Sequence, residues 1–262
     1  MSCIRMLFGH RRLIWNLTIL NFKVRYAGSR FGLFWMVLAP VILLSCYLLV
    51  FGMILGVRPV QGSTGMDYGL LVACGLLPWL GFSQSVTGGA GSVLAQRNLM
   101  KSQLFPMEVV PVTAVCSGLV AQLCGTVLLL VVLAFRGQLG ANLLLLPVLL
   151  VLQAAFSIGL VWFLSCINIL YRDTTQVLGL IMVLLMFVSP IAYTPDMVPA
   201  GLQFVISLNP LSYLIQGYRE ALLFTHSPSI GGLAGFGGIA FLVLLTGHRY
   251  FMRLRRVIPD FV

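Results

Sequence analysis

The sequence predicts an all-α integral membrane protein, and two observations support this fold class. Hydrophobic residues make up 60% of the 262-residue chain and charged residues only 8%, a balance that does not suit a soluble domain. The few charges also leave six long apolar stretches between them. Because a helix needs about 20 apolar residues to cross a hydrocarbon core about 30 Å thick, each stretch can form one span. The predicted spans are residues 33–56, 69–92, 112–134, 143–169, 175–194 and 231–249.

The arginines and lysines indicate how these spans are oriented. If six spans place both termini in the cytoplasm, thirteen of the 16 Lys and Arg residues lie inside, and only Arg58, Arg136 and Arg219 lie outside. A seventh span over residues 197–218 would weaken this split to ten against six. Since short cytoplasmic loops collect Lys and Arg, the sequence favours six spans with both termini inside.

Residues 197–224 are then predicted to form a hairpin on the outer side, between spans five and six. The Asn-Pro pair at its centre separates two apolar arms of about ten residues, and each arm as a helix is about 15 Å long, half the core thickness. The arms can be two re-entrant half-helices or an amphipathic hairpin on the outer surface. Broken backbone at membrane depth is tolerated where it packs in protein or lines a water-filled path, so the re-entrant alternative predicts a translocation route. The candidate residues of this segment are Asn209, Pro210, Tyr213, Arg219 and Glu220.

The first 30 residues are predicted to be a cytoplasmic segment ahead of the six-span domain, residues 31–262. They carry six Lys or Arg residues and no acidic residue. Apolar residues recur at helical spacing with basic residues beside them, which predicts an interfacial amphipathic helix that contacts membrane lipids. A disordered basic tail is the alternative. The residues assigned to the helix are Arg12, Leu13, Leu17, Leu20, Lys23 and Arg25. Topology and lipid contact account for the net charge of +10, so nucleic acid is not expected as a partner.

The reactive side chains are too scattered to suggest catalysis or metal binding. The six cysteines include no Cys-x-x-Cys pair, and the three histidines lie far apart, so no catalytic residue and no metal ligand is assigned. The acidic residues lie at span ends or in loops, which disfavours ion-coupled transport. The two lysines, Lys23 and Lys101, do not follow a glycine as a phosphate-binding loop requires. Any ATP must therefore be hydrolysed on another chain, and no cofactor is expected on this one.

Short motifs distributed along the chain resemble one family of membrane transporters. They are residues 25–32 (RYAGSRFG), 75–79 (GLLPW), 98–101 (NLMK), 104–106 (LFP), 171–174 (YRDT), 209–211 (NPL) and 218–220 (YRE). Together with the six-span plan, they resemble the membrane subunits of ABC type 2 polysaccharide exporters, which export O-antigen, capsule or teichoic acid. The resemblance covers nearly the whole chain and favours the O-antigen branch. It implies a location in the bacterial inner membrane.

The resemblance assigns roles to two cytoplasmic loops. Residues 95–110 look like the family's coupling helix, which docks on the ATP-binding subunit. The residues that this likeness implicates are Arg97, Asn98, Leu99 and Lys101. Arg172 and Asp173 are implied to form a second contact with that subunit or a local ion pair. Without the resemblance, an ordinary basic loop that only fixes the topology is the preferred explanation of residues 95–110.

In this family, two copies of the membrane subunit enclose the channel, with spans one and five in its wall and aromatic side chains lining it. An aromatic ring suits a sugar because the apolar C–H face of a pyranose packs on it. The candidates are Phe31, Phe34, Trp35, Tyr47, Phe51, Phe187 and Tyr193. On a straight helix Tyr47 and Phe51 lie roughly opposite the first three, so either Pro40 reorients the outer half or one group faces the channel. Lipid-facing packing is the alternative for each ring.

The resemblance implies that the chain is the membrane-spanning permease subunit of an ATP-driven exporter. A homodimer would pair with two ATP-binding subunits, which carry the ATP and magnesium, and would move a lipid-linked polysaccharide similar to O-antigen across the inner membrane. The chain itself is expected to make and break no bond. Two alternatives stay open, an ABC type 2 exporter of a small amphiphile such as a drug or lipid, and a membrane scaffold protein without a transport function.

Overall fold

The computed structural model describes residues 7–26, 28–54, 56, 65–96, 106–223 and 229–255, apart from the side chains of residues 25, 26, 33, 65 and 66. All regular secondary structure in these ranges is helical, which confirms the predicted all-α class. The α-helices are α1 (Arg11–Tyr26), α2 (Trp35–Tyr47), α3 (Gly65–Ala95), α4 (Val109–Phe135), α5 (Leu146–Leu170), α6 (Thr174–Val188), α7 (Gln203–Leu208), α8 (Pro210–Leu222) and α9 (Ile230–Leu254). A π-helix, Leu48–Ile54, continues α2, and 3₁₀ turns lie at Gly32–Phe34, Ala141–Leu145, Pro195–Met197 and Ala200–Leu202.

Within the described residues, five helical runs are long and apolar enough to cross a membrane. They are Trp35–Ile54, Asp67–Ala95, Val109–Phe135, Ala141–Leu170 and Ile230–Leu254. These runs correspond to the predicted spans one, two, three, four and six. The chain is therefore a multi-pass membrane protein.

The helix in predicted span five is shorter than the sequence suggested. α6 has 15 residues and is about 22 Å long, less than the hydrocarbon core of about 30 Å. It ends at Val188 because Ser189 precedes a proline and adopts an extended backbone, with ψ of 140°. The helix thus ends before the predicted span boundary at residue 194, since residues 189–194 follow α6 without helical structure. The count of six spans stays a prediction.

α3 lies at the centre of the bundle. It is buried along most of its length and packs against α4, α5 and α8, with α2 and α6 beside it. Phe82 of α3 stacks on Phe156 of α5, with ring centroids 5.7 Å apart. The backbones of α5 and α9 are in close contact at Gly159 and Gly247, where a Cβ atom on either glycine would overlap the backbone of the other helix. Small residues at a crossing of membrane helices allow such contact.

Two ion pairs mark the opposite ends of the bundle. Arg136 Nη1 lies 2.9 Å from Asp67 Oδ1 and joins the end of α4 to the start of α3. Arg255 Nη1 lies 2.9 Å from Glu108 Oε1 and joins the end of α9 to the start of α4. We name these the Asp67 end and the Glu108 end. Residues 189–223 lie at the Asp67 end, beyond α6.

α1 lies at the Glu108 end and packs against the start of α4. Asn21 Nδ2 donates a hydrogen bond to Thr113 Oγ1 at 3.1 Å, and Thr18 is buried. α1 includes the backbone of Arg25, whose side chain lies outside the described part. The predicted helix is therefore present, and it contacts the span bundle through Thr18, Asn21 and the apolar side chain of Ile14.

The predicted apolar stripe of α1 lies at the edge of this contact. Leu13 and Leu17 are half-buried, whereas Leu20 is 49% exposed. The basic residues Arg12 and Lys23 are exposed. A surface that carries both apolar and basic side chains suits the boundary between headgroups and acyl chains. The interfacial role of α1 and the division of the chain at residue 30 stay predictions.

Candidate functional site

At the Asp67 end, residues 189–194 form a stretch of non-helical backbone. Side chains hold this stretch through hydrogen bonds to its own carbonyl groups and to those at the end of α6. Tyr193 Oη donates to the last two carbonyl oxygens of α6, at 2.8 and 3.2 Å, and Tyr68 Oη of α3 donates to the carbonyl oxygen of Ala192 at 2.9 Å. The stretch is thus packed in protein, which is a condition for irregular backbone at membrane depth.

Arg219, which the charge count placed outside, is 0% exposed. Its Nη2 donates to the carbonyl oxygen of Ile191 at 2.9 Å, and its Nη1 donates to that of Tyr193 at 3.2 Å. No carboxylate pairs with Arg219 among the described residues. Because arginine stays protonated even when buried, carbonyl dipoles of residues 189–194 are what balance its charge. A buried charge of this kind in a membrane protein marks a candidate functional site.

Asn209 connects the break in the hairpin to the end of α6. Its Oδ1 accepts from Leu211 N at 3.0 Å, and its Nδ2 donates to Ser189 Oγ at 2.9 Å. Asn209 is therefore the N-cap of α8. Pro210 is the first residue of α8, where the N–H that proline lacks would have no helical partner. The helix break lies where the sequence predicts it.

The two arms of the hairpin are unequal. α7 has 6 residues and α8 has 13, so they are about 9 and 20 Å long rather than two equal arms of about 15 Å as expected. α8 is buried along most of its length, whereas α7 is mostly exposed. The re-entrant arrangement stays a prediction.

Two further predicted residues tie α8 to its neighbours in the chain. Tyr213 Oη donates to the carbonyl oxygen of Ser207, at the end of α7, at 2.9 Å. The Glu220 carboxylate accepts from the backbone N–H of Ser229 at 3.0 Å, just before α9. The five candidates assigned to the outer segment therefore all lie on or beside α8, and four of them hold it in place through side-chain hydrogen bonds.

A buried layer of uncharged polar groups joins α8 to the centre of the bundle. Gln122 of α4 and Gln153 of α5 exchange amide hydrogen bonds at 3.1 and 2.7 Å. Tyr218 Oη of α8 donates to Gln153 Oε1 at 2.7 Å and accepts from Gln122 Nε2 at 2.9 Å. Gln153 Nε2 also donates to the carbonyl oxygen of Pro78 in α3 at 3.1 Å. The prediction did not include this layer, although two glutamines inside apolar spans were a signal that could have revealed it.

A cavity of about 530 Å³ lies beside this layer, between α2, α3 and α4. Trp35 and Pro40 of α2, Gln84 of α3 and Gln122 of α4 are among the residues that line it. Phe31 packs edge-on against Trp35, with ring centroids 5.9 Å apart. The structure thus places one predicted channel residue, Trp35, in the wall of a cavity that reaches Gln122 of the polar layer.

The other predicted channel residues include exposed and buried rings. Phe34 and Phe187 are 57% and 60% exposed. Tyr47 is buried in the core of the chain, and its ring stacks on that of Phe51 with centroids 5.5 Å apart. Tyr193 is half-buried. The rings of Phe31, Phe34 and Trp35, at the start of α2, are therefore exposed on the surface of a single chain, whereas the ring of Tyr47 is buried.

The predicted coupling residues Arg97, Asn98, Leu99 and Lys101 lie outside the described residues. The helices before and after them, α3 and α4, meet at the Glu108 end. Arg172 and Asp173 are exposed at the same end, between α5 and α6, and no ion pair joins these two described side chains. Their role as a contact with another subunit stays a prediction.

The start of α4 is anchored by a residue that the prediction did not single out. Glu108 is 4% exposed, and its carboxylate pairs with Arg255 at 2.9 Å. Its carbonyl oxygen accepts from Trp162 Nε1 of α5 at 3.0 Å. These contacts connect α4, α5 and α9 at the C-terminal end of the predicted coupling segment, residues 95–110.

Comparison with known proteins identifies the family to which this arrangement belongs. Residues 12–223 match the family model described as ABC-2 type transporter. The chain belongs to this family. The matched region extends from α1 to the end of α8 and so includes the polar layer and the buried Arg219. Membership makes the chain a transporter membrane subunit and implies an ABC ATP-binding partner subunit.

Curated relatives of this ABC-2 membrane subunit share one name. The O-antigen export system permease protein RfbA of Myxococcus xanthus is 28% identical over 252 residues, which cover 95% of this chain and 94% of the relative. A protein of the same name from Klebsiella pneumoniae is 28% identical over 205 residues, which cover 78% of this chain and 77% of the relative. The chain is thus similar, over most of its length, to permeases named for O-antigen export.

Proposed function

We propose that the chain is the membrane permease subunit of an ATP-driven exporter that moves a lipid-linked, O-antigen-like polysaccharide across the bacterial inner membrane. The observation that supports this most strongly is the similarity to the Myxococcus xanthus O-antigen export permease over 95% of the chain. The all-helical membrane architecture agrees with that role. The chain binds and guides the substrate, and no bond of the polysaccharide is formed or broken on it.

In this proposal the Glu108 end faces the cytoplasm. α1, the end of α3, the start of α4 and the connection that contains Arg172 and Asp173 lie at that end. The basic residues of these segments and of the loop that joins α3 to α4 are then on the side that topology favours. α6 and residues 189–194 together form the fifth crossing. The hairpin is then partly re-entrant, with α8 buried against α3 and α5 and α7 nearer the outer surface.

The proposed functional unit is a homodimer with two ATP-binding subunits, which bind ATP and magnesium. Support for a second copy comes from the apolar side chains that α2 and α6 leave exposed, although lipid would also accept them. They include Val41, Ile42, Leu49, Val50 and Met53 near or within α2, and Val177, Leu180, Ile181, Val183, Leu184 and Phe187 on α6. A channel between two copies would be walled by these faces and by the open rings around Trp35.

Hydrogen bonds within the bundle connect the helices at the cytoplasmic end to the hairpin. The loop 95–110 connects α3 to α4, and the layer formed by Gln122, Gln153 and Tyr218 hydrogen-bonds α4 and α5 to α8. A displacement of α3 and α4 by the ATP-binding subunit would therefore shift α8 with them. We propose that this movement opens the channel between the two copies.

Purification of the tagged chain from its native host in mild detergent tests this proposal. Mass spectrometry is expected to find one ATP-binding protein in stoichiometric amount, because the ATP site must lie on another chain. Charge reversal at both Arg97 and Lys101 should remove that protein from the preparation, since complementary charge guides subunit docking. The matched control is Gln138→Glu, which adds negative charge in the exposed connection at the opposite end of the bundle.

Deletion of the gene provides the functional half of the test. Loss of surface polysaccharide, restored by the wild-type gene and not by the charge-reversed variant, is the expected result. Unchanged surface polysaccharide together with a preparation that lacks an ATP-binding protein would contradict the proposal and favour a scaffold. An ATP-binding partner whose hydrolysis is stimulated by small amphiphiles, with polysaccharide unchanged, would instead favour a drug or lipid exporter.

A further inference from the structure

A second pocket lies at the Asp67 end, separate from the cavity beside Trp35. It has a volume of about 320 Å³ and lies between the 3₁₀ turn Pro195–Met197, α7 and α8. Its polar lining residues are Asp196, Gln203, Ser207, Ser212, Tyr213 and Gln216. The size is at the lower end of the range for small-molecule sites. Of these residues, the sequence pointed only to Tyr213.

One group in the pocket indicates that it receives a ligand. Ser212 is 7% exposed, and its Oγ has no hydrogen-bond partner within the described residues. Buried hydroxyl groups in folded proteins are almost always hydrogen-bonded, because an unpaired one loses its interaction with water without a replacement. A polar ligand in the pocket would supply the missing partner.

The hydrogen bonds already present leave both acceptors and donors for such a ligand. Internal hydrogen bonds use one side-chain donor from each of four lining residues, namely Gln203 Nε2 to Val198 O (3.3 Å), Ser207 Oγ to Phe204 O (2.8 Å), Tyr213 Oη to Ser207 O (2.9 Å) and Gln216 Nε2 to Glu220 Oε1 (3.2 Å). The amide oxygen and the second amide N–H of Gln203 and of Gln216 stay available. The exposed carboxylate of Asp196 has no ion-pair partner in the described part of the chain. A matching ligand therefore both donates and accepts hydrogen bonds.

The remaining lining of the pocket is apolar. Pro195 and Ile206 complete the wall, and the ring of Tyr213 is held beside them by the hydrogen bond of its hydroxyl group. A pyranose combines these two requirements, because it has hydroxyl donors around its edge and an apolar C–H face that packs on an aromatic ring. An anion does not fit, since the charged group that lines the pocket is a carboxylate.

We propose that this pocket binds one sugar unit of the exported polysaccharide on the outer side of the membrane. The inference rests on the proposed export function and on the proposed orientation, and it adds a specific sugar subsite to them. Because the pocket is formed jointly by α7 and α8, an occupied pocket would hold the two arms of the hairpin together. Sugar units would then pass from the channel to a defined contact at its exit.

The experiment measures binding of polysaccharide to the intact complex in lipid nanodiscs. The ligand used is the polysaccharide released by mild acid from the surface glycolipid of the native host. We expect the double variant Asp196→Asn, Gln203→Ala to bind it about tenfold more weakly than the wild type, since two exposed hydrogen-bonding side chains are lost or weakened. Ser212→Ala, which removes only the unpaired hydroxyl, should weaken binding about threefold. Gln138→Ala, an exposed glutamine at the same end and outside the pocket, is the matched control.

The possible results distinguish failure of the sugar-site proposal from failure of the export proposal. Equal affinity of the wild type, the double variant and Ser212→Ala would overturn the pocket, while loss of surface polysaccharide on gene deletion would leave the export proposal standing. Absence of binding to the wild type would overturn the pocket as well. If gene deletion also leaves the surface polysaccharide intact, the export proposal falls together with it. Binding of spermidine that Asp196→Asn removes, with polysaccharide binding unchanged, would show a cation site instead and would likewise overturn the sugar subsite.

Discussion

Arg219 and Arg136 lie at the same end of the molecule, and a count of charges gives them the same role, yet their surroundings differ. Arg136 is 32% exposed and pairs with Asp67 at 2.9 Å. Arg219 is 0% exposed and donates to backbone carbonyl groups that follow α6. Exposed ions gain little from pairing because water solvates them well. Buried groups that lose a partner have no water to replace it.

The comparison shows that a positive charge near a membrane boundary can have two separate roles. Arg136 forms a surface ion pair, whereas Arg219 holds together a segment that has no helical hydrogen bonds of its own. The same contrast applies to two glutamines of the bundle, since Gln153 is buried in the polar layer and Gln84 is half-buried in the wall of a cavity. Substitutions can therefore test whether burial, rather than residue type, determines the effect.

The largest effect is expected for Arg219→Leu. The carbonyl groups of Ile191 and Tyr193 would lose their donors, so the free energy of unfolding should fall by about 3 kcal/mol. Thermal unfolding of the detergent-purified protein, followed by size-exclusion chromatography, measures the change. Arg219→Lys keeps a positive charge and a donor, so its loss should be smaller. If Arg219→Leu unfolds at the wild-type temperature, the role assigned to these hydrogen bonds is wrong.

A moderate effect is expected for Gln153→Leu. This change keeps the size of the side chain but removes the partner of Gln122, Tyr218 and the Pro78 carbonyl group, and we expect a loss of about 2 kcal/mol. The same thermal assay applies. Gln84→Leu is the matched control, because Gln84 is half-buried and has no side-chain hydrogen bond within the described residues. Equal losses for the two variants would mean that the polar layer does not stabilise the bundle.

The smallest effect is expected for Arg136→Ala. Removing one partner of an exposed ion pair should lower the free energy of unfolding by less than about 1 kcal/mol. The difference from the wild type should also shrink in about 1 M salt, where screening shortens the range of the interaction to about 3 Å. A loss as large as that of Arg219→Leu, or one that salt does not reduce, would contradict the distinction between the two arginines.

Prediction from sequence succeeded for the membrane-spanning helices, because their formation depends on the composition of a long segment. Five of the predicted spans coincide with long apolar helices, because a lipid-exposed helix must be apolar over about 20 residues whatever its neighbours are. The Asn209-Pro210 break was also predictable, since both residues act on the adjacent backbone. The early end of α6 was missed, although Ser189-Pro190 is its local signal.

The residues that hold the hairpin in place could not be predicted in the same way. Arg219 was assigned to the outer side because the six-span topology places the segment between spans five and six there. Tyr68 and Gln153 carried no local signal of which groups they contact. Tyr68 and the carbonyl group that it binds are 124 residues apart in the chain. A hydrogen bond over that separation depends on how α3 packs against the residues that follow α6. No short sequence motif encodes this packing.

The sequence by itself determined that this protein crosses the membrane several times and that its helix breaks at Asn209-Pro210. These properties follow from local hydrophobicity and proline geometry. Only the tertiary structure decided that Arg219 is buried, that Gln122, Gln153 and Tyr218 form one layer, and that the two arms of the hairpin enclose a polar pocket. Burial and hydrogen-bond pairing depend on contacts between helices distant in the chain, so they emerge only when the bundle is assembled.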